Sequence, residues 1–188
     1  GYGADLPDSG GGCLMNRGLV HVYCGEGKGK TTAAMGLLIR AAGVGKQCVL
    51  VQFMKDTPSG ELESLKKLGI PVLRGKQGSA FFSEMTEEEK QNTVKGHNQA
   101  LKKALELACE GKCDLLVLDE ACSALRYGML DEALLKQALY EKPEGLELVL
   151  TGRDPADFIL ERADYVTEMC KRKHPYDAGI LARKGIEF

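Results

Sequence analysis

The stretch YCGEGKGKTT, from Tyr23 to Thr32, decides the fold of this chain. Its last eight positions hold three glycines, two lysines and two threonines. The β-branched and aromatic run GLVHVY precedes it, and TTAAMGLLIRAAG, rich in the helix formers alanine and leucine, follows it. A strand, a glycine-rich turn and a helix in this order direct backbone N–H groups and the positive end of the helix dipole at an anion. The stretch therefore predicts a phosphate-binding loop.

The loop departs from the usual G-x-x-x-x-G-K-[ST] pattern at one position. Cys24 stands where the first glycine is expected, and Gly25 and Gly27 supply the flexibility instead, which makes the pattern G-x-G-x-G-K-T. Lys30 adds a positive charge, and Thr31 stands where a phosphate-loop protein has a magnesium ligand. A glycine-rich hairpin with a charged tip is the alternative, but the flanking strand and helix favour the phosphate loop.

Length and composition predict one globular domain. The chain has 188 residues, a hydrophobic fraction of 44% and a net charge of -2. This charge argues against a nucleic-acid partner held by bulk electrostatics. No apolar run approaches the ~20 residues of a membrane span, and no secretory signal is visible, so we expect a cytoplasmic protein without a membrane partner. Residues 1–17 are predicted to be a flexible tail, and residues 18–188 the domain.

The seven cysteines are odd in number and scattered along the chain. Cys109 and Cys113 are four apart, but a zinc site needs a second close pair, and none exists. We therefore expect small buried thiols in a reducing cytosol.

Strands and helices alternate along the whole domain. The predicted strands are 18–23, 47–53, 70–75, 113–121, 146–152 and 164–169. The predicted helices are 31–43, 60–69, 86–111, 131–143 and 155–163; Thr86 and Glu89 form a capping box for the third, and Asp154-Pro155 caps and starts the last. This succession predicts an α/β fold, a doubly wound and mostly parallel sheet, with its ligand beyond the carboxyl ends of the strands.

The apolar run LLVLDE ends in Asp119 and Glu120. An acid at the end of a buried strand holds magnesium directly or through water in phosphate-loop proteins, and we expect it to face Thr31 from the neighbouring strand. Together with the loop, it predicts a nucleoside triphosphate bound with Mg²⁺. These residues predict the ligand but not the reaction, since a small-molecule kinase with Asp119 or Glu120 as base is compatible with them.

Several segments together resemble one family. They are GEGKGKTTAAMGLLIRAAGVGKQCVLVQFMK, LLVLDE, LVLTGRDP, ADYVTEM and KHPYDAGILARKGIEF. From about Gly18 to the end, the chain resembles the ATP:cob(I)alamin adenosyltransferases related to the P-loop NTPases, whose own loop has the form G-x-G-x-G-K-T. The resemblance implies transfer of the 5′-deoxyadenosyl group of ATP to Co(I) of a reduced corrinoid, with release of triphosphate. A metabolite kinase that makes ADP and a non-catalytic nucleotide or corrinoid carrier are the rival hypotheses.

The resemblance also implies roles for individual residues. Because Co(I) is itself a strong nucleophile, no general base is needed, and the protein must hold the triphosphate and place the 5′-carbon in line. Lys30, Thr31 and Asp119 are the expected catalytic residues, and Thr31, Asp119 and Glu120 the expected metal ligands. The expected nucleotide-binding residues are Gly25, Glu26, Gly27, Lys28, Gly29, Lys30, Thr31, Thr32, Arg40 and Glu120. Arg153 is either an anion contact or a loop salt bridge.

The corrinoid side of the site is expected in GKQGSAFFSEMTEEE, residues 75–89. The family is thought to press apolar and aromatic side chains against the cobalt, which keeps it four-coordinate. Some relatives have a tryptophan there, whereas this chain has none, so Phe81 and Phe82 are the candidates. A histidine ligand would oppose the four-coordinate state, so no histidine is assigned to cobalt. Relatives also imply a homodimer and a reductase or flavoprotein that donates electrons.

Overall fold

A computed structural model describes residues 17–75 and 81–188. The tail predicted at residues 1–17 lies outside this range except for Arg17. The strands are β1 (Val20–Cys24), β2 (Cys48–Gln52), β3 (Val72–Arg74), β4 (Leu115–Asp119), β5 (Glu147–Thr151) and β6 (Tyr165–Glu168). The helices are α1 (Lys30–Gly43), α2 (Gly60–Lys67), α3 (Glu87–Cys109), α4 (Ala121–Arg126), α5 (Glu132–Tyr140) and α6 (Asp157–Arg162). Short 3₁₀ turns cover Phe82–Glu84 and Pro175–Ala178.

The six strands form one sheet in the order β3-β2-β4-β5-β1-β6. Each neighbouring pair is parallel. All carboxyl ends therefore meet at one edge, where a doubly wound sheet places its ligand. The predicted α/β fold is confirmed, and β5 lies between β1 and β4, which the sequence had placed side by side.

The sheet is buried on both faces, because its central strands are apolar at successive positions. Along β4, Leu115 and Val117 pack on one face with the helix α1, whereas Leu116 and Leu118 pack on the other. All five residues of β2 and of β4 are buried. The edge strand β6 differs, since its four residues are exposed.

The helix α3 begins at the predicted capping box. Thr86 Oγ1 accepts a hydrogen bond from Glu89 N at 3.2 Å, and Glu89 Oε2 accepts one from Thr86 N at 2.8 Å. The apolar side of α3 faces the core, with Leu101 and Ala108 buried. Among the described residues, no helix has the length and apolarity that a membrane crossing requires.

The predicted boundaries differ from the observed ones by up to three residues, and two of these differences have a structural cause. The strand predicted at 113–121 ends at Asp119, since Glu120 has a φ of 61° and the helix α4, which was not predicted, begins at Ala121. The helix predicted to start at Asp154-Pro155 has Ala156 as its N-cap. Asp154 instead accepts a hydrogen bond from Arg126.

Candidate nucleotide-binding site

The loop after β1 has a backbone that only glycine adopts readily. Gly25 has a φ of 98° and Gly29 a φ of 115°, both in the left-handed region. A Cβ on Gly25 would lie 2.5 Å from Met169 O, and one on Gly27 would lie 2.6 Å from the same atom. The Gly27 N–H donates a hydrogen bond to Met169 O at 2.6 Å. The chain just after β6 therefore supports the loop so closely that side chains at these two positions would collide with it.

The amino end of α1 closes the loop. Gly29 is the N-cap of α1, and no side chain caps this end. The first N–H groups of the helix are thus available to an anion. Lys30 Nζ donates hydrogen bonds to Gly25 O and Gly27 O, each at 2.8 Å. Lys30 holds the loop in its curved form and places a positive charge at its centre.

Asp119 joins the loop to the middle of the sheet. Its side chain is fully buried, and its Oδ1 accepts hydrogen bonds from Thr31 Oγ1 at 2.8 Å and from Thr151 Oγ1 at 2.7 Å. The predicted closeness of Thr31 and Asp119 is therefore found, although β1, which leads into the loop, and β4, which ends at Asp119, are not neighbours. Thr151 ends the intervening strand β5 and was not predicted from the sequence, because no local pattern reveals which strand lies between two others.

The other carboxylate oxygen of Asp119 faces a second set of donors. Gln52 Nε2 donates to Oδ2 at 3.3 Å, and Lys55 Nζ lies 3.2 Å from the same oxygen. Arg74 holds Gln52 in turn, with its Nε 2.9 Å from Gln52 Oε1. Burial lowers the pKa of Arg74. These side chains come from the carboxyl ends of β2 and β3 and the loop after β2, and they fix Asp119 from the side opposite Thr31.

Glu120 follows Asp119 in a strained backbone conformation. Its φ of 61° is unusual for a residue with a side chain, and its N–H donates to Thr151 Oγ1 at 2.8 Å. Such strain collects at functional sites when the surroundings enforce it. Here it turns the Glu120 side chain into the cavity beside the loop.

That cavity has a volume of about 420 Å³, within the range of small-molecule sites. Its lining includes Lys28–Thr32, Lys55, Gly60–Glu61, Glu120 and residues 185–188. Asp119 lies beneath Thr31 and does not itself line the cavity. An ion in the cavity would thus meet Thr31 and Glu120 directly, whereas Asp119 would act through Thr31 or through water.

Four of the predicted nucleotide contacts, Gly25, Glu26, Gly27 and Arg40, do not line this cavity. Arg40 is exposed in the last turn of α1, about 15 Å along the helix axis from Lys30, at the opposite end of the sheet. It lines a separate cavity with Asp114 and Glu147. Glu26 is exposed and pairs with Arg153 at 3.2 Å, so of the two readings of Arg153 the structure shows the salt bridge.

The two candidate phenylalanines differ in their surroundings. Phe82 is half-buried, its ring centroid lies 5.1 Å from that of Tyr127, and Lys90 Nζ lies 5.0 Å above the ring. It lines a second cavity of about 730 Å³ together with Tyr127, Met129 and residues of α3. Phe81 is 75% exposed and is not part of that lining. Residues 76–80 of the predicted corrinoid segment lie outside the described residues.

The three histidines have structural partners. His97 is fully buried, with Nε2 accepting from Met54 N at 3.1 Å and Nδ1 placed 2.8 Å from Met129 O. His21 pairs with Glu147, and His174 Nδ1 accepts from Tyr176 N. None of them lines the loop cavity or the Phe82 cavity.

The cysteines follow the prediction in part. Cys24, Cys48, Cys113 and Cys122 are buried and free, as expected. Cys109 and Cys170 are exposed, so for these two the expectation was wrong, and Cys13 lies outside the described residues. Among the described residues, no group of three or more histidine, cysteine, aspartate or glutamate side chains is placed to hold a metal ion.

A glycine-rich loop between a strand and a helix, a lysine within it and a buried aspartate on a second parallel strand define a phosphate-loop nucleotide-binding protein. A profile of the family described as ATP:corrinoid adenosyltransferase BtuR/CobO/CobP matches residues 16–188. This chain belongs to that family. The family's reaction is ATP-dependent transfer of an adenosyl group to a corrinoid, so the chain is a transferase with ATP and a corrinoid as substrates.

Individual relatives of this chain are named as members of the same family. The chain is 37% identical over 174 residues to a corrinoid adenosyltransferase of Sinorhizobium sp, covering 92% of this chain and 81% of that protein. It is 36% identical over 173 residues to the corrinoid adenosyltransferase of Escherichia coli (strain K12), covering 92% and 86%. In structure it resembles the cytoplasmic domain of EssC, with a TM-score of 0.52, 18% identity and coverage of 89% and 34%. The last likeness concerns the fold alone.

Proposed function

We propose that the phosphate-loop cavity holds the triphosphate of ATP while its 5′-carbon reacts with Co(I) of a reduced corrinoid. The observation that carries this assignment is the contact of the loop with the buried Asp119 through Thr31. The free amino end of α1, the N–H groups of Lys28 to Thr32 and the charges of Lys28 and Lys30 are the groups that suit a triphosphate, since the N–H groups of Gly25 and Gly27 donate to Arg153 O and Met169 O.

The transfer is a displacement at carbon. The electron pair of Co(I) forms the Co–C bond, and the C5′–O5′ bond breaks with its electron pair going to the triphosphate oxygen. No proton is removed, so no residue needs to act as a base. What the chain contributes is alignment of the 5′-carbon and stabilisation of negative charge on the leaving oxygen, and the positive charge of Lys30, which lies on the loop carbonyls, suits the second task.

A magnesium ion fits the residues beside the loop. The Thr31 hydroxyl and the carboxylates of Asp119 and Glu120 are the hard oxygen donors that Mg²⁺ prefers, and Thr31 and Glu120 line the cavity. With so few protein oxygens, the triphosphate and water would supply most of the ligands, which is usual for Mg²⁺. When bound, the ion neutralises charge on the triphosphate.

On the corrinoid side we propose Phe82 rather than Phe81 as the principal contact. Phe82 is held by Tyr127 and borders the larger cavity, so its ring has a defined position. Phe82→Ala is expected to weaken reduction of bound Co(II) and to spare transfer to chemically generated Co(I), whereas Phe81→Ala is expected to have the smaller effect. Equal losses for Phe82→Ala in both assays would instead indicate a packing role.

The direct test is an anaerobic incubation with ATP, Mg²⁺ and chemically reduced cobalamin, followed by the visible spectrum and by analysis of the phosphate product. Loss of the Co(I) bands with formation of adenosylcobalamin and triphosphate is the expected result. Formation of ADP would support the kinase, and binding without any product would support the carrier.

Further properties of the family extend this proposal. A homodimer, a reductase or flavoprotein as electron donor and a cytoplasmic location follow from the resemblance and stay predictions. We do not extend the nucleotide site to Arg40, since it lies at the far end of α1.

A further inference from the structure

Residues 183–188, here called the 183–188 turn, fold back on themselves. Arg183 N donates to Glu187 Oε2 at 2.7 Å, and Arg183 Nη2 donates to Glu187 Oε1 at 3.0 Å. The Gly185 N–H donates to Phe188 O at 2.7 Å, and Gly185 has a φ of 77°. The segment therefore has a definite shape, set by bonds within itself.

The turn lies against the phosphate loop. Gly185, Ile186, Glu187 and Phe188 line the same cavity as Lys28–Thr32. Ile186 is 59% and Phe188 49% exposed, so both keep much of their apolar surface in water. Covering that surface with a ligand in the cavity would be favourable.

Charge decides which part of a nucleotide the turn suits. Arg183 lowers the pKa of Glu187 through its hydrogen bonds, and the positive charge of Lys28 acts in the same direction as a smaller cause. To the cavity lining the turn contributes Glu187, whose charge is paired with Arg183, and the apolar side chains of Ile186 and Phe188, whereas the helix end and the lysines of the loop attract phosphate. A triphosphate therefore belongs at the loop, and the apolar side chains of the turn remain for the nucleoside.

We propose that the 183–188 turn is the nucleoside-binding wall of the site, in which Ile186 and Phe188 pack on the adenosine moiety while the loop holds the triphosphate. This inference rests on the proposed function in taking ATP as the nucleotide. It assigns a binding role to a segment that carries no recognised nucleotide motif.

Tryptophan fluorescence tests the assignment directly, because the chain contains no tryptophan. With excitation at wavelengths that tyrosine does not absorb, the emission of Phe188→Trp comes from position 188 alone. ATP, added without corrinoid so that it is not consumed, is expected to shift this emission, whereas inorganic triphosphate, with its binding measured by calorimetry, is expected to leave it unchanged. Tyr176→Trp is the control, since Tyr176 is exposed in the same final segment and does not line the cavity.

A second variant tests the inference independently, in case the larger tryptophan side chain changes the conformation of the turn. Phe188→Ala is expected to weaken ATP binding about 10-fold, the effect of losing one aromatic contact, with no change for inorganic triphosphate. Two results would overturn the inference and leave the proposed function intact. One is an equal response of the Phe188→Trp emission to ATP and to triphosphate. The other is ATP binding that changes neither the emission of Phe188→Trp nor, in Phe188→Ala, the affinity for ATP. Absence of ATP binding to the unaltered protein would overturn both the inference and the proposed function.

Discussion

The buried carboxylate of Asp119 explains why hydrogen-bond donors surround it. A buried carboxylate is costly unless donors surround it. The donors come from three separate parts of the chain, namely Thr31, Thr151, and the pair Gln52 and Lys55 at the end of β2. The carboxylate therefore orders the magnesium-ligand candidate Thr31 before any nucleotide arrives, and each donor contributes to the geometry of the loop.

Thr151 allows the hydroxyl group to be separated from the shape of the side chain. Thr151→Val keeps the volume but removes the donor to Asp119 and the acceptor for Glu120 N–H, so we expect a loss of roughly 1–3 kcal/mol in the free energy of unfolding. Transferase activity should fall as well. Thr151→Ser keeps both hydrogen bonds and should cost about 0.8 kcal/mol, the value of one buried methyl group. Urea denaturation measures the free energy of unfolding of both variants. Equal losses of this free energy in Thr151→Val and Thr151→Ser would contradict a role for the hydroxyl.

Lys30 is the residue on which the loop assignment depends. Lys30→Ala removes the charge and both bonds to the loop carbonyls, so we expect turnover to fall by about 10²-fold or more, with weaker ATP binding. Lys173→Ala, an exposed lysine outside the cavity, is the matched control and should keep its activity. A near-normal rate for Lys30→Ala would remove the phosphate-loop assignment.

At the scale of elements, α3 approaches the segment after β3 more closely than side chains allow. A Cβ on Gly96, inside α3, would lie 2.0 Å from Gly75 O. Gly36, inside α1, has nothing within 4 Å of its Cβ position. The two helical glycines therefore differ in their effect on stability. Gly96 permits close packing of α3 on Gly75, whereas Gly36 makes no such contact and only lowers the helix propensity of α1.

The same substitution should therefore have opposite effects at these two sites. Gly36→Ala is expected to raise the free energy of unfolding by about 0.5–1 kcal/mol through helix propensity. Gly96→Ala gains the same propensity but forces α3 away from Gly75, and we expect a net loss of about 1–3 kcal/mol. Thermal or urea unfolding of the pair measures this, and stabilisation by both substitutions would show that the close approach is unimportant.

At the scale of the whole molecule, burial divides the cysteines into reactive and protected groups. Burial raises the pKa of the Cys113 and Cys122 thiols to about 12, so they remain protonated near neutrality. Because the thiolate is the reactive form, we expect Cys109 and Cys170, which are exposed, to be alkylated by iodoacetamide before the four buried cysteines of the described residues. Peptide mass spectrometry after brief labelling gives the order. If Cys122 of the folded protein were labelled as fast as Cys170, the burial of Cys122 would be contradicted.

The correct predictions came from local patterns, whereas the errors came from the unusual backbone of one residue and from contacts between distant segments. Six strands and five helices were predicted, since hydrophobic periodicity and capping are read within a few residues. The helix α4 was missed because it follows directly on β4 through the unusual backbone of Glu120. Arg40, expected at the nucleotide by resemblance, lies in the last turn of α1, away from the loop of its own chain.

By itself the sequence determined the phosphate loop, the order of strands and helices along the chain and the family. Those depend on residues that are close in the chain, where hydrogen bonds and backbone preferences act directly. Only the tertiary structure decided that β5 separates β1 from β4, which brings Thr151 between the loop and Asp119, and that the 183–188 turn lies beside Lys28. Thr31 and Asp119 are 88 residues apart, and such contacts follow from how the whole sheet packs its two faces rather than from any local pattern.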